Sequence, residues 1–385
     1  MIAAAPTELV VIQPTPFCNL DCSYCYLPQR SVRTRMKIET VRAIVNFLRS
    51  VPNINNSTPV VWHAGEPMVV PRSFYEEAFD AFAGLDERAV RFTHSFQTNG
   101  TLLTDEWCEF IRHHGINVGV SIDGPQTLHD RYRTNRSGQG TFVKVMQGVK
   151  LLNKHGIPFS VIVVLTKESL SKPDDIWDFV VSNGIRDIGF NVEEIEGAHR
   201  ASTLDQVGAE EQYEAFFETL YVRQRQRPEI RIRELAETEA RLRSRSGHAT
   251  RSTENIVGSI LSFSVDGKVS TFSPELLTSP ATKRYSSFVW GDAHTDTYKT
   301  FLENVAASPA YKDMQDGVAN CKTTCDYFSV CGGGAPSNKL GELGTLSGTE
   351  TMCCRLRVKA LTRTVLRRLE CEVEEAIRQR EVHLD

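Results

Sequence analysis

No stretch of the chain is apolar for long enough to span a bilayer. The first residues, MIAAAPTELVVIQP, lack both the basic n-region and the long apolar h-region of a secretion signal. The sequence therefore reads as that of a cytoplasmic protein with no membrane partner. Charge of one sign is missing too: 44 Lys and Arg against 48 Asp and Glu leave a formal net charge of −4. That balance argues against a generic nucleic-acid binder, whose phosphate-tracking surface makes a domain basic. What the chain does have is 10 cysteines. In a reducing cytosol these do not build a disulfide framework, so metal binding or catalysis is the better reading.

At 385 residues the chain exceeds one ordinary domain and suits a large α/β domain with an appendage. Its first half alternates two patterns. ELVVIQPT, PVVWHAGEP, RFTHSFQTNG, NVGVSIDGP, PFSVIVVLT and DIGFNVEE read as strands, with amphipathic helices such as IETVRAIVNFLRS and TDEWCEFIRHHG between them. Six such units imply a parallel sheet with helices outside, curled into a partial (β/α)6 TIM-like barrel. In such barrels the chemistry lies at the C-terminal ends of the strands. After about residue 196 the rhythm changes. EEQYEAFFETLYVRQRQR is a helix stopping at Pro228, and the arginine-rich IRIRELAETEARLRSRS follows. The latter reads as a solvated helix face, the alternative being a surface for an acidic peptide segment. FSVDGKVSTFSP is a hairpin with a D-G turn, followed by a cysteine- and glycine-rich region and a terminal helix. The expected division is a barrel over 1–200, a helical bridge over 201–255 and a cysteine-bearing appendage with its C-terminal helix over 256–385.

Directly after the first strand stands Cys18-Asn-Leu-Asp-Cys22-Ser-Tyr-Cys25-Tyr26. Three thiolates in one short loop can converge on one metal centre, and as soft ligands they suit iron–sulfur clusters or zinc. Structural zinc wants a closed set of four ligands. No fourth cysteine is near, although His63 is one possible supplement. A cubane on three cysteines leaves one iron open to a cosubstrate. This spacing, with an aromatic (Tyr24) before the last cysteine, resembles the signature of the radical S-adenosylmethionine (radical SAM) superfamily. The resemblance implies a [4Fe–4S] cluster on Cys18, Cys22 and Cys25. Its open iron would chelate S-adenosylmethionine, whose reductive cleavage yields a 5′-deoxyadenosyl radical.

Further motifs extend the likeness. Trp62-His-Ala64-Gly65-Glu66-Pro67 resembles the superfamily's GGEP motif, with Ala64 for the first glycine. Glu66 can accept hydrogen bonds from a cationic amino group. The resemblance assigns Ser121 and Arg133 to the methionine carboxylate and makes Thr98 and Asn191 candidate cofactor contacts, with Tyr24 screening the cluster. The ordinary alternative for each is a loop-capping role.

Near the end, Cys321-x3-Cys325-x5-Cys331-Gly-Gly-Gly is followed by TETMCCRLR, which holds Cys353 and Cys354. The segment resembles the SPASM/twitch appendage of peptide-modifying radical SAM enzymes, which carries auxiliary [4Fe–4S] clusters. Cys321, Cys325, Cys331 and Cys354 would saturate one cluster, with Cys353 as the alternative fourth ligand; a structural zinc site is the rival reading. The full pattern has a cysteine five residues after the hairpin glycine. Here that glycine is Gly267 and the position is Phe272, and no cysteine lies between Cys108 and the hairpin. One auxiliary cluster is therefore expected instead of two. Cys108 and Cys371 read as ordinary thiols.

Across nearly the whole chain, VVIQPTPFCNLDCSYCYLP, SFQTNGTL, GVSIDGP, STFSPELL, CDYFSVCGGGAPSNK and TETMCCRL resemble the cyclophane-forming peptide maturases of the GrrM/OscB type. That likeness implies a ribosomally made precursor peptide as substrate, and an external electron donor of flavodoxin or ferredoxin type. It implies a carbon–carbon bond between an aromatic ring carbon and the β-carbon of a residue two positions later. Glu275, just after the hairpin, is the candidate base. Only seventeen residues precede Cys18, so leader recognition is expected to use the barrel, the arginine-rich bridge or a separate protein. Formylglycine formation in sulfatases, epimerisation and thioether formation are the enzymatic alternatives. A non-catalytic iron–sulfur or zinc scaffold is the alternative outside that class.

Overall fold

The computed structural model describes residues 5–55, 57–85, 90–244 and 251–382. Six parallel strands run in chain order: β1 (Leu9–Ile12), β2 (Ser57–Trp62), β3 (Arg91–Thr98), β4 (Asn117–Ser121), β5 (Phe159–Leu165) and β6 (Asp187–Val192). Helices cover the sheet because their apolar residues recur at helical spacing. The helix Ile38–Arg49 buries Val41, Ile44, Val45 and Leu48, leaving Glu39 and Arg49 at its charged ends. Local signals set the boundaries. Thr104 Oγ1 accepts the Trp107 amide at 3.3 Å to open the helix Asp105–His114, and Gly115, at φ 62°, closes it. The α/β class and the parallel barrel-type sheet expected from the βα rhythm are both present.

The sheet continues beyond the six strands. On one edge β7 (Arg231–Ile232) pairs with β6. On the other, β8 (Ile260–Phe263) lies parallel to β1, with Leu9 opposite Ile260 and Ile12 opposite Phe263. The strand β9 (Lys268–Thr271) returns antiparallel through the Asp266-Gly267 turn, and β10 (Gly291–Asp292) adds an outer antiparallel pair. The D-G hairpin is thus an extension of the barrel sheet. Phe47 joins the two regions, packing edge-on against Phe263, Tyr298 and Phe301.

A helix covers Ala209–Gln226, and in the arginine-rich stretch another covers Arg233–Arg243. Arg245 and Ser246, at the end of the stretch expected to be helical, lie outside the described residues. Its arginines pair with carboxylates: Arg231 with Asp187, Arg233 with Glu234, Arg241 with Glu237 and Arg243 with Glu239. This supports the reading as a solvated helix face. The terminal helix Leu361–Val382 docks on Ala209–Gln226 through Arg363 and Arg367, both on Glu214. Among the described residues no helix is long and apolar enough to cross a membrane.

Candidate active site

Each functional loop follows the C-terminal end of a strand. The loop after β1 carries Cys18, Cys22 and Cys25 and is fixed by its backbone: Cys18 N–H donates to Arg30 O (3.0 Å), Asp21 N–H to Thr134 O (2.8 Å) and Ser23 N–H to Tyr132 O (3.0 Å). Burial pushes the Cys18 thiol up to about 12, with Glu66, Cys22 and Cys25 adding to the shift. Burial also raises Cys22 to about 11, with Cys25 and Asp123 acting in the same direction and Arg133 opposing them. Thiolates crowded into such a site need a cation to hold them, which is what an iron–sulfur cluster provides. Among the described residues no group of three or more His, Cys, Asp or Glu converges as a single metal ion requires. A cubane differs in giving each cysteine its own iron, so its thiolates stand farther apart. His63 is half-buried, and desolvation lowers its pKa to about 4; its Nε2 lies 3.4 Å from Tyr26 OH.

The turn after β2 is pressed against this loop. Gly65 has φ 67°, and a Cβ there would come within 2.4 Å of Thr15 O and 2.7 Å of Phe17 O, so only glycine fits. Ala64 also adopts a left-handed conformation (φ 68°). Glu66, 1% exposed, is held by Thr98 Oγ1 (2.6 Å), Asn99 N–H (2.8 Å) and Met68 N–H (3.0 Å). Burial raises its pKa while these three donors oppose the shift. Thr98 and Glu66 are therefore direct partners. Asn99 reaches on to Asn19 Oδ1 (2.8 Å) and lies 3.8 Å from Cys18 Sγ, joining this carboxylate to the cysteine loop.

The rim after β4 is organised by Asp123. Arg133 Nη2 donates to Asp123 Oδ1 at 3.0 Å, and its Nε sits 3.0 Å from Oδ2; both side chains are buried. Tyr24 donates its hydroxyl to the same Oδ2, and its ring lies 5.3 Å from the Arg133 guanidinium carbon. Although burial works against it, Asp123 keeps Arg133 firmly charged. Ser121 Oγ accepts from Gln97 Nε2 at 3.0 Å. Tyr24, Arg133, Thr98 and Glu66 thus surround the cysteine loop, while Ser121 is engaged with Gln97. Asn191, at the C-terminal end of β6, accepts through its Oδ1 from Arg233 Nη2 at 2.7 Å.

A group of carboxylates lies between the barrel and the second cysteine cluster. Glu194 and Glu196 follow β6, Glu254 precedes β8 and Glu275 follows β9. Glu194 accepts from Arg357 Nη1 (3.1 Å) and Cys353 Sγ (3.3 Å), Glu196 from Asn338 Nδ2 (2.7 Å), and Glu254 from Ser273 Oγ (2.6 Å). Burial, then Glu254 and Glu194, push Glu275 up to about 8. Burial also raises Tyr26, next to Cys25, with Glu275, Cys25 and Glu196 adding to it. Ala198 N–H donates to Tyr26 O at 2.8 Å, so the loop carrying Glu194 and Glu196 adjoins the first cysteine loop. A cavity of about 280 Å³ opens beside them, lined by Arg233, Glu234, Glu254, Asn338, Cys353 and Arg357 among others.

Cys321, Cys325, Cys331 and Cys354 line a second, smaller cavity. Cys353 does not line it; its thiol turns to Glu194. The adjacent cysteines diverge, as expected of neighbouring side chains. Gly334 N–H donates to Cys331 Sγ at 3.1 Å, and Lys339 Nζ lies 3.7 Å from Cys321 Sγ. Four cysteines with amide and ammonium donors suit an auxiliary cluster. The hairpin position that could carry another cysteine ligand is occupied by Phe272. It is fully buried at φ 70° and packed against Trp290 and Tyr311.

Sequence reasoning did not single out Asp123, Asn99, Glu194, Glu196, Glu254 or Lys339. The signal available was position: charged or amide residues just past buried strand ends, and the lysine closing CGGGAPSNK. Of the remaining cysteines, Cys108 is buried in the core, and Cys371 is half-buried on the terminal helix.

Residues 12–180 match the family model described as the radical SAM superfamily. An uncharacterised protein of Synechocystis sp., sll1766, is 38% identical over 376 residues, spanning 95% of this chain and 92% of that protein. A serine-type anaerobic sulfatase-maturating enzyme of Bacteroides thetaiotaomicron is 39% identical over 184 residues, only 46% of this chain and 44% of that enzyme. Among solved structures, anSMEcpe with bound AdoMet and the Kp18Cys peptide superposes with a TM-score of 0.75 at 19% identity, over 96% of this chain and 100% of that one. SuiB of Streptococcus suis bound to precursor peptide SuiA superposes with a TM-score of 0.62 at 17% identity, over 90% of this chain and 76% of that one. With the three-cysteine loop at the head of the barrel and a relative alike over almost its full length, the chain belongs to the radical SAM superfamily and is a radical SAM enzyme related to the anaerobic sulfatase-maturating enzymes.

Proposed function

We propose that this enzyme matures a ribosomally made precursor peptide by joining an aromatic ring carbon to the β-carbon of a nearby residue, forming a cyclophane. Cys18, Cys22 and Cys25 hold a [4Fe–4S] cluster, with Glu66, Thr98, Tyr24, Ser121, Arg133 and Asn191 as the residues available to S-adenosylmethionine. When bound, these groups supply a 5′-deoxyadenosyl radical. Cys321, Cys325, Cys331 and Cys354 hold one auxiliary cluster. Forming the new carbon–carbon bond breaks two C–H bonds. The β-hydrogen would leave as a hydrogen atom, taken up by the 5′-deoxyadenosyl radical as 5′-deoxyadenosine. The ring hydrogen would leave as a proton, accepted by Glu275, and one electron, for which an auxiliary cluster held by Cys321, Cys325, Cys331 and Cys354 would supply the acceptor. The product is two hydrogens lighter than the precursor.

The observation carrying this reading is the carboxylate group to which Glu275 belongs: the loop bearing Glu194 and Glu196 meets the first cysteine loop on one side, where Ala198 N–H donates to Tyr26 O at 2.8 Å. On the other side, Glu194 bonds Cys353, next to Cys354. Hydrogen removal, proton acceptance and electron acceptance are the three operations the crosslink needs. SuiB and anSMEcpe, each solved with a bound peptide, support a peptide substrate. The sulfatase-maturating relatives support formylglycine formation as the second reading, although their likeness covers half of this chain or less. The buried Phe272 in place of a cysteine favours the crosslink, because sulfatase maturation resembles systems with two auxiliary clusters.

Co-expression with candidate precursor peptides, followed by tandem mass spectrometry, tests the proposal. A loss of two hydrogens localised to an aromatic residue and a neighbour, in a peptide lacking cysteine, is the expected product. An unchanged mass with deuterium incorporation, or a carbonyl at serine or cysteine, would replace the crosslink with epimerisation or formylglycine formation.

A further inference from the structure

The motif Cys331-Gly-Gly-Gly-Ala-Pro-Ser-Asn-Lys339 ends in a lysine that no part of the reaction above uses. Lys339 is only 2% exposed, although an ammonium group ordinarily seeks water. Its Nζ lies 3.7 Å from Cys321 Sγ, to which it donates. Two glycines make room for it. A Cβ on Gly317 would stand 3.0 Å from Nζ, and one on Gly334 would touch Cε at 3.6 Å. Among the described residues no carboxylate forms an ion pair with it; burial lowers its pKa, and the sulfurs of Cys321, Cys331 and Cys354 act against that shift. A buried charge is retained only where an opposite charge compensates it. Here that charge comes from the four-sulfur site.

We propose that Lys339 is a fixed positive charge that raises the reduction potential of the auxiliary cluster on Cys321, Cys325, Cys331 and Cys354, making that site an electron acceptor. The inference rests on the auxiliary cluster of the proposed function. Each electron added to a thiolate-bound cluster increases its negative charge, so a nearby cation stabilises the reduced form more than the oxidised one. Hydrogen bonds to the sulfurs act in the same sense. The Gly334 N–H on Cys331 is a second such donor. Lys339 is a positioning residue in this scheme, since it acts through the cluster and touches no substrate.

The test uses the full chain carrying Cys18→Ala, Cys22→Ala and Cys25→Ala, so that any cluster signal comes from the auxiliary site. Iron is counted first, and the midpoint is then found by a redox titration followed by electron paramagnetic resonance at one pH. In the parent about four irons are expected. Lys339→Met should lower the midpoint, making reduction about tenfold less favourable, or about 59 mV for one electron. Lys339→Arg keeps the charge and should stay near the parent. If Lys339→Met loses its iron, Lys339→Gln, neutral but polar, carries the same comparison. A midpoint unchanged in the neutral variants, or falling equally in Lys339→Arg, overturns the inference. A parent without iron refutes the auxiliary cluster itself, and is recognised before any titration.

Discussion

Glu275 is where acid–base chemistry concentrates at the scale of single residues. Burial and two neighbouring carboxylates raise it to about 8. A group with that pKa is mostly protonated at neutrality and becomes a base as pH rises. Product formation should therefore climb with pH through about 8 and level off above it. Glu275→Gln should remove that limb and slow crosslinking by about 10²-fold or more, while 5′-deoxyadenosine continues to form. The stability consequence has a definite sign. Raising an acid's folded-state pKa means that its ionisation disfavours the folded state from the unfolded pKa upward. The glutamine variant should thus melt no lower than wild type at neutral and alkaline pH. Turnover unchanged by Glu275→Gln, or a pH profile identical to wild type, eliminates Glu275 as the base. Asp123 shows a different logic. It holds Arg133 and Tyr24 in one buried cluster beside the cysteine loop, so its part is to fix the rim.

At the scale of elements, the divergence of Cys353 and Cys354 makes the sharpest prediction. Cys354→Ala should lose the auxiliary cluster, leaving about four irons per chain, whereas Cys353→Ala should retain about eight. Iron analysis after anaerobic reconstitution checks both, and equal losses in the two variants would refute the assignment. The βα units were legible because buried strands and helices carry different periods, as in Val41, Ile44, Val45 and Leu48 on one helix face. The D-G turn was legible because Gly267 must adopt φ 85° there. The pairing of β8 with β1 was not, since a parallel partner some 250 residues away leaves no local mark on Ile260–Phe263. Nor could spacing show that the carboxylates after β6 and β9 meet. Glu194, Glu196, Glu254 and Glu275 come together only through sheet topology.

At the scale of the molecule, one continuous sheet runs from the cysteine loop's strand to the hairpin. The loop after β6 is pressed against the helix Pro336–Leu343, where a Cβ on Gly341 would come within 1.7 Å of Ile195 O. Close packing of this kind fixes the first cysteine loop, the carboxylates and the four-cysteine site relative to one another. That fixed arrangement suits a reaction in which a hydrogen atom, a proton and an electron leave one substrate by different routes. The cysteine motifs revealed the two ends of the arrangement from sequence. The middle depended on the fold, because single carboxylates in loops have no distinguishing spacing.

The most direct test is the formation of 5′-deoxyadenosine by the reconstituted, reduced protein under anaerobic conditions, measured by mass spectrometry. Wild type should produce it, and the chain carrying Cys18→Ala, Cys22→Ala and Cys25→Ala should not. No 5′-deoxyadenosine from wild type, with about eight irons per chain bound and both clusters seen by spectroscopy, would contradict the account and leave an iron–sulfur scaffold in its place.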